Sequence, residues 1–273
     1  MTRHTFTRRT GAALALVVLA GCSVSQQQEV ELGQQESAQV NAQLPIVHDA
    51  EINSYVNQLG NSIAKRTSRS DLAWQFAVVN TDVVNAFALP GGFIYVNRGV
   101  LTRASNESEL GAVLAHEIEH VVRRHSVQQM QQMQGANMGV ALACALTAVC
   151  SNGLGQAALQ VGGNAVFAKF SRDDEIQADD GGFQNEIRAG LNPRGMLTFF
   201  QKLLAEEQQS GGGATASWFA DHPGTQDRIA DVQRMLAATP ASTLNGLRTD
   251  SQAFQTMKRR LAQLPAPPRT QAR

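Results

Sequence analysis

The chain has 273 residues, of which 23 are Lys or Arg and 23 are Asp or Glu. The basic residues are scattered rather than clustered, so the sequence carries no electrostatic footprint for nucleic acid. About 250 residues follow an N-terminal leader, enough for one domain with a substantial core, and nothing after Cys22 is long and apolar enough to span a membrane.

Residues 1–21 read as a targeting segment outside the fold. Arg3, Arg8 and Arg9 form a basic start, and Ala12 to Ala20 is an apolar run too short to cross a bilayer. Leu19-Ala20-Gly21-Cys22 resembles a bacterial lipobox, which implies cleavage before Cys22 and lipid on its sulfur. An ordinary signal peptide with an accidental Cys is the competing reading. Arg8-Arg9 also hints at twin-arginine export, although Thr10-Gly11 departs from that pattern. Ser23 after the lipid-bearing Cys favours sorting to the outer membrane. Loss of the leader leaves 20 basic against 23 acidic residues.

Residues 22–38 are Gln- and Glu-rich and read as a tether that becomes helical near Gln35. Asp49 to Arg66 places Ile52, Tyr55, Val56, Leu59 and Ile63 at helical spacing behind Asp49 as N-cap. Trp74 to Val79 reads as a strand. Ala86 to Leu89 and Phe93 to Asn97 flank Pro90-Gly91-Gly92 as a strand pair.

Asn106-Glu107-Ser108-Glu109 has the form of a capping box, followed by Leu110, Val113, Leu114, Ile118, Val121 and Val122 at helical spacing. Within this helix lies His116-Glu117-Ile118-Glu119-His120, an H-E-x-x-H sequence. Alone it is equally compatible with polar helix surface. Residues four apart on a helix lie about 40° apart, so His116 and His120 can offer two imidazole nitrogens to one Zn²⁺. Glu117 sits beside that face, where it can take the proton of an attacking water.

A third ligand is needed. One zincin pattern would require His at 126 and Gly at 123, but these are Ser126 and Arg123. His125 falls about 180° round a continuous helix from His116 and reads as a surface histidine. Glu175, followed by Asp179 on the same helical face, suits a ligand with a carboxylate that orients a ligating histidine. Spacing alone equally allows an acidic, solvated helix start.

The remaining elements are less specific. Residues 130–170 are rich in Ala, Gly and Gln and read as a packed helical hairpin. A disulfide between Cys144 and Cys150 requires the helix to end between them, because six helical residues rise about 9 Å. Bridged and unbridged readings both stand. Pro193 to Ala205 continues a helix, residues 208–216 form a glycine-rich loop, and Ile229 to Leu236 and Phe254 to Leu261 are short helices.

Residues 84–96, Val84-Asn85-Ala86-Phe87-Ala88-Leu89-Pro90-Gly91-Gly92-Phe93-Ile94-Tyr95-Val96, with Glu109 to His116, resemble the signature of a gluzincin metallopeptidase family. That family includes HtpX, the CAAX prenyl protease and the Oma-type peptidases, and the likeness is nearest to its LoiP/BepA-like bacterial periplasmic lipoprotein peptidases. The resemblance runs from about Gln27 to about Leu261. It implies Glu175, in E-x-x-A-D with Ala178 and Asp179, as third ligand of one Zn²⁺ per chain. The H-P-x-x-x-x-R match implies that His222 can close the zinc position at rest, with Arg228 near the site and either of them serving the tetrahedral oxyanion. Asp221 stands where many relatives have Ser. In zincins an edge strand lies above the active-site helix and can pair with substrate backbone, a role assigned to Phe93, Ile94, Tyr95 and Val96, with an ordinary core hairpin as the competing reading.

The expected fold is mostly α with a small β-sheet (α+β), zincin-like, over residues 39–263, with a disordered tail at 264–273. The expected function is zinc-dependent endopeptidase action on misfolded or misassembled envelope proteins. The expected place is the periplasm, lipid-anchored to the outer membrane, with the outer-membrane assembly machinery as an admissible partner. The competing class is a chaperone-like binding lipoprotein whose proteolysis is latent or incidental.

Overall fold

The computed structural model describes residues 24–133, 170–210, 218 and 221–268. The lipobox Cys22, Cys144, Cys150 and the glycine-rich run Gly211-Gly212-Gly213 lie outside the described residues.

Two helices and a sheet come first. Helix α1 spans Gln26–Gln43, opened by a capping box between Ser25 and Gln28. Helix α2 spans Ala50–Ala64, and the Asp49 side chain accepts from the N–H groups of Glu51 and Ile52. Ile52, Val56, Leu59 and Ile63 of α2 are buried. Each such aliphatic side chain contributes about 1.5–3 kcal/mol of burial free energy. Strands β1 (Gln75–Val79), β2 (Ala86–Leu89) and β3 (Phe93–Asn97) follow. β3 pairs in parallel with β1 and antiparallel with β2, giving the order β1-β3-β2. Gly91 and Gly92 turn the β2–β3 hairpin with φ of 77° and 102°, values a side chain disfavours.

The sheet order corrects one expectation. β3 is the central strand and both its edges are hydrogen-bonded, so Phe93, Ile94, Tyr95 and Val96 offer no free edge to a substrate backbone. All four are buried. The strand with an edge turned away from the sheet, on the side of the histidine helix, is β2.

Helix α3 (Arg98–Arg103) leads to α4 (Glu107–Val122), the histidine helix. Asn106 caps α4 by accepting from Glu109 N–H, while the Glu109 carboxylate reaches Ser105 N–H instead of the cap residue's own. Every residue from Glu107 to Val121 is buried, so α4 is the core of the domain. Helix α5 (Arg172–Arg188) packs along it, opened by a Ser171/Asp174 capping box, and α6 (Arg194–Ser210) packs on its other flank. Helices α7 (Thr225–Ala238), α8 (Ala241–Leu244) and α9 (Gln252–Gln263) complete the fold, α9 lying on α2. The protein is mostly helical with one small sheet, as expected.

The tether expectation for residues 22–38 fails over α1. Glu29 is fully buried and meets Arg69 with two hydrogen bonds, 2.7 and 3.1 Å. Gly33 presses against the Pro90 carbonyl, which a Cβ would meet at 1.8 Å. The apolar-poor sequence hid this because α1 docks through charge and close backbone approach rather than through an apolar stripe. The tail expectation also begins too early. Arg98 binds the carbonyl of Pro265 at 2.5 Å.

Candidate metal centre

Helix α4 supplies His116 and His120, α5 supplies Glu175, and the segment before α7 supplies His222. All four side chains are buried, and their ligating atoms lie within 4.8 Å of one another. His116 Nε2 is 3.0 Å from His120 Nε2, 3.3 Å from His222 Nδ1 and 3.4 Å from Glu175 Oε2. Glu175 is 3.2 Å from His222 Nδ1 and 3.5 Å from His120 Nε2. A tetrahedron with zinc bonds of about 2.0–2.1 Å has edges of about 3.3 Å. The observed separations of 3.0–3.5 Å are close to such an edge, and the donor chemistry suits Zn²⁺.

Asp179 lies one turn after Glu175 and takes the other side of His116, with Oδ1 2.8 Å from Nδ1. This leaves His116 Nε2 aimed into the cluster with its lone pair. Arg228 binds Asp179 through Nε and Nη2 at 2.6 and 2.7 Å, and reaches Glu175 Oε2 through Nη1 at 2.8 Å. Its guanidinium also lies 4.5 Å over the Phe200 ring.

Burial opposes charge on His116, His120, Glu175, Asp179 and Arg228, and neighbouring charges overcome it on all of these but His120. Against burial, His222, Arg228 and His116 hold the Glu175 carboxyl well below the usual range. Burial and Arg228 oppose a charge on His116, but Glu175 and Asp179 push it up to about 9. Burial drives His120 down to about 3. Glu117 is fully buried and burial raises its pKa. Neither of its carboxylate oxygens has a hydrogen-bond partner among the described residues, and His222 Nε2 lies 3.6 Å away.

His125 departs from the sequence expectation. It is buried, with Nδ1 2.9 Å from His120 Nδ1. Helix α4 stops at Val122, and Arg124 adopts φ 60°, so the rotation of a continuous helix does not apply. Three further residues had no assigned role. Phe170 stacks on His120 at 4.0 Å with planes 20° apart. Trp218 lies 4.4 Å from the His222 ring. Asn85 donates to Asp221 at 2.8 Å, tying the His222 segment to the start of β2. Asp221, the departure from the resembled pattern, thus carries a contact between the two.

Comparison with known proteins agrees with this geometry. The profile described as Peptidase family M48 matches residues 50–236. The Beta-barrel assembly-enhancing protease of Escherichia coli (strain K12) is 31% identical over 220 residues, which cover 78% of the chain and 45% of that protein. Mitochondrial metalloendopeptidase OMA1 of Schizosaccharomyces pombe is 32% identical over 193 residues, 71% of the chain and 55% of that protein. Metalloprotease LoiP of Escherichia coli (strain K12) is 30% identical over 188 residues, 68% of the chain and 70% of that protein. The chain spans about half the length of the first two relatives. A buried cluster of His116, His120, Glu175 and His222 that could hold a metal ion lies inside the matched region, and the chain belongs to peptidase family M48.

Proposed function

We propose that this chain is a zinc endopeptidase of the bacterial cell envelope that acts on misfolded or misassembled proteins. The observation that carries the reaction is Glu117, a buried carboxylate with no hydrogen-bond partner among the described residues, beside four side chains that could hold a metal ion. Leaving such a group unpaired costs about 1–3 kcal/mol or more, a cost that a catalytic base recovers when it takes a proton.

His116, His120 and Glu175 hold the metal, which when bound polarises the scissile carbonyl and lowers the pKa of water toward about 7. Glu117 takes the proton of the attacking water and delivers it to the leaving amine. Arg228 keeps Glu175 and Asp179 ionised and aligned. A substrate strand adds to the edge of β2, where the Ala86 carbonyl already faces His222 Nε2 at 3.4 Å. His222 has two uses. With Nδ1 turned into the cluster it fills the fourth position, and turned out it leaves room for water and donates to the oxyanion.

The envelope setting rests on the names of the relatives and on the lipobox at Cys22. The lipobox supports attachment through lipid on Cys22, at the periplasmic face of the outer membrane. Mass spectrometry of the mature N-terminus should find an acylated Cys22; an unmodified terminus elsewhere ends that part. A role beside the outer-membrane assembly machinery follows from the same relatives.

The reaction is tested with an unfolded protein such as casein. Wild type should digest it, and Glu117→Gln should retain zinc and lose about 10²-fold or more in rate. Near-normal digestion by Glu117→Gln rejects the mechanism. Binding of the unfolded protein by wild type without digestion favours the chaperone-like alternative.

A further inference from the structure

We propose that His125 is a positioning residue for the metal ligand His120, fixing its tautomer from behind, and that Glu29 of α1 holds the turn that delivers it. The inference rests on reading His120 as a ligand through Nε2.

The argument begins with hydrogen placement. His120 Nε2 faces His116 Nε2 at 3.0 Å and Glu175 Oε1 at 3.5 Å. A ligand presents a lone pair there, so a neutral His120 carries its proton on Nδ1. That Nδ1 has His125 Nδ1 at 2.9 Å. One of two facing ring nitrogens must donate and the other accept. His125 Nδ1 is therefore the acceptor, and its own proton sits on Nε2, which has no hydrogen-bond partner among the described residues and lies 3.6 Å from Asp174 Oδ1. His125 and His120 form a line ending in the cluster. The line parallels the contact of Asp179 with His116 on the other ligand, with an imidazole in place of the carboxylate.

His125 has little freedom to do otherwise. It is 3% exposed, and its ring lies 5.0 Å from His120 and 6.0 Å from Phe170. Phe170 closes the remaining face of His120.

The backbone that brings His125 here is unusual. Arg124 sits in the left-handed region at φ 60°, which costs a residue with a side chain about 1–3 kcal/mol unless its surroundings hold it. They do. The Glu29 carboxylate forms an ion pair with Arg124 Nε at 2.7 Å, and Arg124 Nη2 donates to the Val24 carbonyl at 2.5 Å. Glu29 is itself anchored by Arg69 and by the Gly91 N–H at 3.2 Å. The start of the described chain thus braces the turn that positions a metal ligand.

Chelator competition on the purified full chain measures zinc affinity in wild type, His125→Leu, His125→Gln, Glu29→Gln and His120→Ala. His125→Leu should bind zinc about 10–100-fold more weakly, the usual effect of losing such a contact. His125→Gln can present an amide oxygen to His120 Nδ1 and should recover most of that loss. Glu29→Gln should fall between them. Melting of the metal-free proteins separates this from general damage, because a merely structural His125 would weaken both variants alike. Wild-type affinity in His125→Leu, or equal losses in the Leu and Gln variants, overturns the positioning role. Zinc retained by His120→Ala overturns the ligand set and the inference with it. Nitrogen NMR of the zinc-loaded wild type gives an answer that needs no variant to fold. Nδ1–H on His120 and Nε2–H on His125 support the proposal, and the opposite tautomer on either ring refutes it.

Discussion

Arg228 grips Asp179 in a two-point pair, and the Asp179 oxygen that meets Arg228 Nη2 at 2.7 Å also meets His116 Nδ1 at 2.8 Å. One carboxylate oxygen therefore joins a buried arginine to a ligating histidine. The same arginine reaches Glu175 at 2.8 Å, so two acidic groups share one buried guanidinium.

Arg228→Ala should cost about 3–5 kcal/mol of stability, because it leaves Asp179 buried without its two-point partner and takes one cation from Glu175. Arg228→Lys keeps the charge but cannot span both acids, so it should fold better and still bind zinc less tightly than wild type. Denaturant titration and metal content measure the two effects. A wild-type midpoint for Arg228→Ala would show that the pair contributes nothing net.

Glu175→Ala should strip zinc from the purified protein, since it removes one vertex of the tetrahedron and unbalances Arg228. Elemental analysis after gel filtration is the measurement. Full occupancy in that variant would reject Glu175 as a ligand.

Glu186 on α5 supplies a prediction away from the site. Its carboxyl is fully buried, has no hydrogen-bond partner among the described residues, and is pushed by burial well above its usual 4.5. The folded chain therefore holds this proton more tightly than the unfolded chain does. Its favourable contribution is complete below about pH 4.5 and is lost as pH rises toward the folded value, at up to about 1.4 kcal/mol per pH unit. Glu186→Gln cannot ionise, so its stability relative to wild type should improve between pH 5 and pH 8. Urea midpoints for both proteins at the two pH values test this. A constant difference between the proteins across that range would mean that Glu186 finds a partner when charged.

Gly33→Val should release α1 from the hairpin, because its Cβ would fall 1.8 Å from the Pro90 oxygen. Limited proteolysis should then cut within Gln26–Gln43 while the remainder resists. Protection of α1 equal to wild type would mean that the hairpin gives way instead.

The histidine helix was legible because its signals are local. A cap residue, a 3.6-residue apolar rhythm and two histidines four apart are all written within 17 residues, Asn106 to Val122. Strand positions were legible for a similar reason, through Pro90-Gly91-Gly92 between two apolar runs. Strand order was not. The Gln75–Phe93 pairing that puts β3 in the centre joins residues with a whole strand between them, and no alternation reports it. Glu175 became a ligand only through the family resemblance, because helix-start acids look alike in sequence. His125 was misplaced for a backbone reason. The left-handed turn falls on an arginine, which gives no warning of it, whereas a glycine there would have.

The Glu29 contact has a consequence for how the chain assembles. Glu29 joins Arg69, 40 residues on, and Gly91, 62 residues on, besides Arg124. Of the buried residues of α1, only Val40 is a sizeable hydrophobe. The helix therefore has little to collapse onto until the sheet turn and the end of the histidine helix exist. The first helix of the described residues is therefore held only once its partners are in place, and its carboxylate stays in water until the sheet turn and the end of the histidine helix have formed.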